Sequence, residues 1–246
     1  MMRRALFFTA YDRPEYLAEV LRTWSSVRGL DRWHVVARIE PGQHSDLIAS
    51  MFRAFFAEAF LQDCEVIVND RVLGVLHHPW VGFEELFKDY DFVVRTEDDL
   101  PVSTDILEYF EWASEHFDGD PVVASVHGFS IDVGGAPESV HRLTRCSPLV
   151  WGTWRRYWEE VMSPTWDHDY STFNGFPGNE SGWDHNLNTR IYPKLGLMGI
   201  YPVVSRVRNI GVYGTHSGLD NYYDTEEFLE TTDPVAYHEV ETVRPI

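Results

Sequence analysis

Residues 93–100 read Val93-Val94-Arg95-Thr96-Glu97-Asp98-Asp99-Leu100. An apolar stretch with strand character, 92–96, runs directly into three consecutive carboxylates. Side by side in a water-poor place, three like charges repel and call for a compensating charge. A hard divalent cation supplies one, and oxygen ligands suit Mg²⁺ or Mn²⁺. A solvated acidic turn, with Asp98 or Asp99 close to a helix start, is the competing reading. The position of the strand decides between them. At the carboxyl end of a buried strand in a parallel sheet, the triplet reads as a metal site.

The sequence upstream supplies that sheet. Residues 4–9 read as a strand. Leu17, Val20, Leu21 and Trp24 then recur at helical spacing, with Pro14 in the first turn and Asp12 with Glu15 in a capping-box pattern. A strand at 34–39 follows, then a helix whose face is Leu47, Ile48, Met51, Phe52, Phe55 and Phe56, then a buried strand at 64–68. A short helix is predicted at 83–87, after a loop containing His77-His78-Pro79. Beyond the triplet, Ser103 caps a helix carrying Ile106, Leu107, Phe110 and Phe117, and 122–126 is a fifth strand. Alternating strands and helices predict an α/β fold with a mostly parallel central sheet covered on both faces. Ligands bind beyond the carboxyl ends of such strands, which singles out residues 10–13, 40–41, 69–70 and 97–99.

The second half is patterned differently. Five of the nine tryptophans lie between 151 and 183. Helices are predicted at 153–161 and 183–192, a strand at 203–207, and a glycine-rich loop at 211–218. No repeat or linker divides the chain, so a single domain is expected.

The 246 residues carry 20 basic and 39 acidic side chains, a net charge of −19. Such a surface repels phosphate backbones and anionic membranes, so nucleic-acid binding is not expected. A phosphate-bearing substrate would need local neutralisation, which a bound divalent cation provides. Cys64 and Cys146 form no metal-binding spacing and read as free thiols. No apolar run approaches a membrane span, and residues 5–10 are too short for a signal sequence, so the expected location is the cytoplasm. Neither a dinucleotide Gly-x-Gly-x-x-Gly, a Walker A loop nor a Gly-x-Ser-x-Gly elbow is present.

Several segments, in order, resemble the GT-A glycosyltransferases, and in particular N-acetylglucosaminyltransferase I and bacterial family 2-like sugar transferases. They are Thr9-Ala10-Tyr11-Asp12-Arg13-Pro14-Glu15-Tyr16-Leu17, Asn69-Asp70-Arg71-Val72-Leu73-Gly74, Glu97-Asp98-Asp99-Leu100 with Asp105 and Tyr109-Phe110, Trp151-Gly152-Thr153-Trp154-Arg155-Arg156, and Asn209-Ile210-Gly211 through Thr215-His216. The resemblance spans roughly 4–218. It implies a Rossmann-like three-layer αβα sandwich, with 1–128 holding the nucleotide-sugar and 129–246 the acceptor. Asp99 would touch the metal, Mn²⁺ or Mg²⁺, and Glu97 and Asp98 would reach the sugar or ribose or orient metal-bound water. Tyr11 would lie on the base, with Arg13 and Glu40 nearby and Thr9 and Gly74 lining the nucleotide site. Glu40 stands where such enzymes often have Asp. His216 would be a second metal ligand, or a solvated loop histidine.

An acceptor hydroxyl needs a general base, and for an inverting transfer one carboxylate suffices. Asp184, in Glu180-Ser181-Gly182-Trp183-Asp184-His185, is the candidate and Glu180 its rival. Ser181 and Asp184 also fit a capping box, in which a helix amino terminus would lower the Asp184 pKa. Trp151 and Trp183 are candidate acceptor contacts, with core packing as the commoner role for such rings. The expected activity is a metal-dependent, inverting transfer of a sugar from a nucleotide-sugar, a UDP-sugar by resemblance, to a hydroxyl of a glycan, protein, lipid or small molecule. A sugar nucleotidyltransferase is the rival enzyme, although Ala10-Tyr11-Asp12-Arg13 lacks its glycine-rich basic signature. A transferase fold that binds nucleotide-sugar without turnover is the non-enzymatic alternative.

Overall fold

Leu6, Phe7 and Phe8 occupy the middle of the first strand, and alternate side chains enter opposite layers. The computed structural model describes residues 2–130, 136–168, 182–211 and 237–239. In it, β1 (Arg4–Ala10) lies between β2 (His34–Ile39) and β4 (Phe92–Glu97), both parallel to it, and β3 (Cys64–Val68) extends the parallel sheet beyond β2. Phe8 packs on Trp24 of α1 (Pro14–Trp24) and Phe52 of α2 (Ser45–Glu58), with ring centroids 5.2 and 5.3 Å apart. Phe7 faces the other way, edge-on to Phe83 of α3 (Gly74–Leu86) at 5.0 Å. Phe110 of α4 (Ile106–His116) reaches Phe92 on the same side as α1 and α2. Each such buried ring contributes about 1.5–3 kcal/mol of hydrophobic stabilisation. The result is the expected sandwich of helices, sheet and helices.

The sheet continues through both halves in the order β3-β2-β1-β4-β7-β5-β8-β6-β9. Its later strands are β5 (Val123–His127), β6 (Ser139–Leu143), β7 (Trp151–Trp154), β8 (Met198–Pro202) and the short β9 (His238–Glu239). β7 runs antiparallel between β4 and β5, and β6 is antiparallel to β8; the other described pairs are parallel.

Several local expectations are corrected. Thr153 and Trp154, expected to begin a helix, instead end a strand, β7, that starts at Trp151. Gly152 lets it enter the sheet, since a Cβ there would lie 2.7 Å from the Phe92 ring. The helical run begins with α5 (Arg155–Tyr157), continues as a π-helix over Trp158–Met162 and ends as α6 (Ser163–Thr165). Trp154 and Trp158 therefore do not share a helix face. The third long helix starts at Gly74 rather than near 83 and runs through His77, His78 and Pro79. Pro79 lies close enough to the amino end that its ring removes one early hydrogen bond without ending the helix.

The α1 N-cap is Arg13, without a side-chain cap, and the Asp12 carboxylate instead accepts the His44 amide at 2.7 Å. The α4 N-cap is Asp105, and the Ser103 hydroxyl donates to its carboxylate at 2.5 Å. β3 is an edge strand, so Cys64 is half-buried rather than core; both cysteines are free thiols. The later helix begins as α7 (Trp183–Asn186) and continues through a π-helix (Leu187–Ile191) into α8 (Tyr192–Leu195).

The strand expected at 203–207 falls at Met198–Pro202 instead. Residues 206–210 run antiparallel beside 99–103: Ser103 N–H donates to Arg206 O at 2.9 Å, Arg208 N–H to Pro101 O at 3.0 Å and Ile210 N–H to Asp99 O at 3.0 Å, with a bridge between Val102 and Val207. Among the described residues no helix is long and apolar enough to cross a membrane.

Candidate active site

The acidic triplet lies where β4 ends, beside the carboxyl end of β1. Asp98 is 2% exposed, and its Oδ2 accepts the Tyr11 amide at 3.1 Å. Arg13, at the start of α1, grips both aspartates: one guanidinium nitrogen is bonded to Asp98 Oδ1, and Nη1 lies 2.7 Å from Asp99 Oδ2. Burial raises the Asp98 pKa above the usual carboxylate range, against the opposing pull of Arg13. Burial, then the neighbouring Glu97, raises Asp99 to about 7, again against Arg13. Burial disfavours the Arg13 charge as well, but the facing carboxylates outweigh it and hold its pKa above normal. One guanidinium thus faces more negative charge than it balances.

Tyr11 projects from the same strand end and is 45% exposed, giving an open aromatic face. Gly42 lies under it, and a Cβ there would come within 3.1 Å of the ring. Thr9 is buried, donates to Thr96 O at 3.2 Å, and accepts from Arg95 Nη2 at 3.1 Å.

Arg95, which no sequence motif singles out, touches Thr9, Glu97 and Trp183. It is 3% exposed, pairs with Glu97 Oε1 at 3.2 Å and lies 5.8 Å from the Trp183 ring centroid. Asp184, the next residue, feels its positive charge. Burial nonetheless raises the Asp184 pKa, outweighing the local backbone amides and Arg95. This corrects the expected lowering at a helix start. The helix begins after Gly182, and among the described residues no side chain caps it; Ser181 of the expected capping box lies outside them. Desolvation leaves Asp184 a stronger base than an exposed aspartate.

Glu40 is buried, with both oxygens engaged. The Leu73 amide donates to it at 2.9 Å and the Gly74 amide at 2.7 Å, so its charge sits at the amino end of α3. Gly74 has φ 76°, which favours glycine. Both residues shape the 69–74 loop.

Trp151 and Trp183 lie in an aromatic stack. Trp151 is fully buried and lies 5.5 Å from Trp183, which stacks on Trp166 at 4.6 Å. Their faces are covered by other rings, which fits core packing and leaves them as supports for Asp184 and Arg95 rather than open stacking platforms. Glu180 and His216 lie outside the described residues.

The 206–210 ribbon ends on Asp99. A Cβ on Gly211 would lie 2.1 Å from Asp99 Oδ2, and the Gly211 amide donates to Asn209 Oδ1 at 2.8 Å. Gly211→Ala must displace either the ribbon or the Asp99 carboxylate. That displacement is expected to cost about 1–3 kcal/mol, as overpacking does, and to lower Tm by several degrees. Thermal unfolding checks this, and a wild-type Tm in the variant would show that the close approach is dispensable.

Among the described residues, no three metal-ligating side chains converge. A protein-only cage is therefore absent from them. Mg²⁺ and Mn²⁺ do not need one when phosphates are present, because one or two carboxylates and the substrate complete the shell. An all-oxygen carboxylate pair, with Asp98 buried and Asp99 partly so, has donor chemistry that fits that kind of ion.

No protein-family model matches the chain. It is 26% identical over 171 residues to an alpha-1,3-mannosyl-glycoprotein 2-beta-N-acetylglucosaminyltransferase of Arabidopsis thaliana, covering 67% of this chain and 33% of that protein. The chain thus spans about a third of the length of that curated relative. Among solved structures, S. aureus TarS 1-349 in complex with UDP-GlcNAc matches with a TM-score of 0.61 at 12% identity, covering 87% of this chain and 60% of that one. The mannosyltransferase PcManGT from Pyrobaculum calidifontis, in complex with GDP-Man and Mn²⁺, matches with a TM-score of 0.54 at 14% identity, covering 82% and 55%. The chain has the fold of the GT-A glycosyltransferases.

Proposed function

We propose that the chain is a metal-dependent, inverting glycosyltransferase that moves a sugar from a UDP-sugar to an acceptor hydroxyl. The observation that carries this reading is the Asp98–Asp99 pair at the end of β4, with Asp98 buried, both carboxylates gripped by Arg13 and Gly211 lying against Asp99. The names of the similar proteins support it: one is an N-acetylglucosaminyltransferase, one is bound to UDP-GlcNAc, and one holds GDP-Man with Mn²⁺.

Tyr11 offers its face to the base, and the 69–74 loop, ordered by Glu40, borders the nucleotide. Arg13 sits near the ribose and holds Asp98 and Asp99 in place. Asp99 is the metal ligand, with His216 as a second ligand. When bound, Mn²⁺ or Mg²⁺ supplies Lewis-acid neutralisation of the departing diphosphate. Asp184 is the general base, with Glu180 as the other candidate in that segment. As the acceptor oxygen bonds to the anomeric carbon, its proton passes to the Asp184 carboxylate and the bond to the nucleoside diphosphate breaks. Arg95 and Trp183 fix the position of Asp184 relative to Glu97. The acceptor binds on the side of the site bordered by α7, and the free thiols Cys64 and Cys146 suit a reducing, cytoplasmic compartment.

UDP release from a panel of UDP-sugars, with the anomeric configuration of the product read by proton NMR, tests the reading. Asp184→Asn is expected to lower kcat by about 10²- to 10⁴-fold, the usual yield of general-base catalysis, with donor KM little changed. Because burial raises the Asp184 pKa, the rising limb of the wild-type pH profile should lie above the ordinary aspartate range. A retained anomeric configuration, or full activity in Asp184→Asn, would overturn the assigned chemistry.

A further inference from the structure

The ribbon that lays Gly211 on Asp99 is short, with three backbone hydrogen bonds in the described residues. So few bonds specify a register weakly, and a slip of one residue, about 3.3 Å, would turn opposite side chains toward the site. Something outside the ribbon must fix it. At its far end Arg206 and Asp105 form an ion pair at 3.3 Å, and both side chains are fully buried. The Arg206 guanidinium also donates to Val204 O at 2.7 Å and to Pro137 O, and it lies 5.5 Å from the ring centroids of both Tyr109 and Tyr237. Asp105 accepts further bonds from the Ser103 hydroxyl and, at 2.8 Å, from the Tyr237 hydroxyl. The chain therefore leaves this carboxylate at Arg206, passes Asp99 at Gly211, and returns to the same carboxylate at Tyr237.

We infer that Asp105 is a positioning residue for the donor site: its buried pair with Arg206 sets the register of residues 206–211 along 99–103 and so places Gly211 on the Asp99 carboxylate. The inference rests on the reading of Asp99 as a donor-site residue. A shift of the ribbon by one step would break the guanidinium's bonds to Asp105 and Pro137 together, the two partners that do not move with it. Tyr237 strengthens the clamp from the far side of the sequence. A buried ion pair is a poor source of stability, because replacing both charges by uncharged groups is often neutral or stabilising. Register is the property such a pair secures best.

The double variant Asp105→Asn/Arg206→Met removes both charges and leaves none unpaired, and Tyr237→Phe removes one hydroxyl. Hydrogen exchange at the Arg208 and Ile210 amides reads the ribbon directly, whether or not the protein binds nucleotide. In the double variant these two amides should exchange at least ~10-fold faster, with Tm within a few degrees of wild type. Tyr237→Phe should shift them the same way by a smaller factor, which preserves the test if the double variant fails to fold. The Kd for UDP with Mn²⁺ should rise about 10-fold in the double variant, as expected for a displaced site. Unchanged exchange at Arg208 and Ile210 in a folded variant would overturn the inference. So would faster exchange with wild-type nucleotide affinity. A wild-type protein that binds no nucleotide would instead sink the reading of Asp99, while the exchange data would still show whether Asp105 fixes the ribbon.

Discussion

Asp99→Asn is expected to abolish transfer and, in metal-free protein at pH 8, to raise Tm. Both effects have the same origin. Asp99 is charged at pH 8 in a buried place it shares with Glu97 and Asp98, and burial first, then Glu97, raises its pKa to about 7. For an acid whose folded pKa lies above its unfolded value near 4, the cost is absent below pH 4 and fully present above pH 7. Neutral asparagine removes that cost, worth on the order of a few kcal/mol, so the stability gain should be largest at pH 8 and shrink toward pH 4. Arg13 keeps its contact with Asp98 in the variant. On the proposed function, loss of Asp99 as metal ligand forfeits several kcal/mol of transition-state stabilisation, so kcat/KM should drop by about 10²- to 10⁴-fold. Thermal unfolding across pH and an initial-rate assay check the two halves. An active Asp99→Asn enzyme would rule out the proposed metal ligand.

Arg13→Met has the opposite effect on stability. Asp98 is 2% exposed, and Arg13 is its cationic partner. Removing one partner of such a pair leaves an uncompensated buried charge and costs about 3–5 kcal/mol. For a chain of this length, that lowers Tm by roughly 10 °C. Both Asp98 and Asp99 already have raised pKa values, and without Arg13 they rise further. The deficit relative to wild type should therefore be greatest at pH 8 and narrow as pH falls and the carboxylates take up protons. The comparison must be made at each pH. Burial holds His78 and His127 near 3, so their neutral forms stabilise the fold above about pH 6.5, and both proteins lose that contribution alike as pH falls. Adding Asp98→Asn to Arg13→Met should recover part of the loss. A constant deficit across pH would show that Arg13 stabilises by packing rather than by charge.

How far the sequence can be read depends on whether local chemistry or tertiary packing fixes each element. β2 and β3 fall where alternation and apolar runs place them, at His34–Ile39 and Cys64–Val68. The triplet at the end of β4 is legible for the same reason: an abrupt change from apolar to acidic residues is a property of the sequence itself. The first part of α3 is hidden behind Pro79, a helix breaker by propensity, while the group that holds its start, Glu40, is more than thirty positions away. Thr153 and Trp154 look like the start of a helix, and the fit of Gly152 against Phe92 and Val94 puts them in a strand instead. The strand expected at 203–207 overlaps the 206–210 ribbon only in part, because the ribbon's position is set by its tertiary partner 99–103 rather than by its own apolar run. Arg95 and the Asp105–Arg206 pair are the functional features that local reading misses. A buried arginine in an apolar strand, as at Arg95, is the one visible signal, since such a charge must find a partner.

Whether the site takes a nucleotide with a metal ion is decided by thermal unfolding of the wild-type protein with UDP, GDP, dTDP and CMP, each with and without Mn²⁺, with Asp99→Ala as control. A ligand at about 100 times its Kd adds roughly 2.7 kcal/mol of stability, which for this chain is a Tm rise of about 5–10 °C. Tm should rise by that amount with UDP only when Mn²⁺ is present, and the rise should be lost in Asp99→Ala. A folded protein whose Tm moves with no nucleotide, with or without Mn²⁺, would contradict the proposed function.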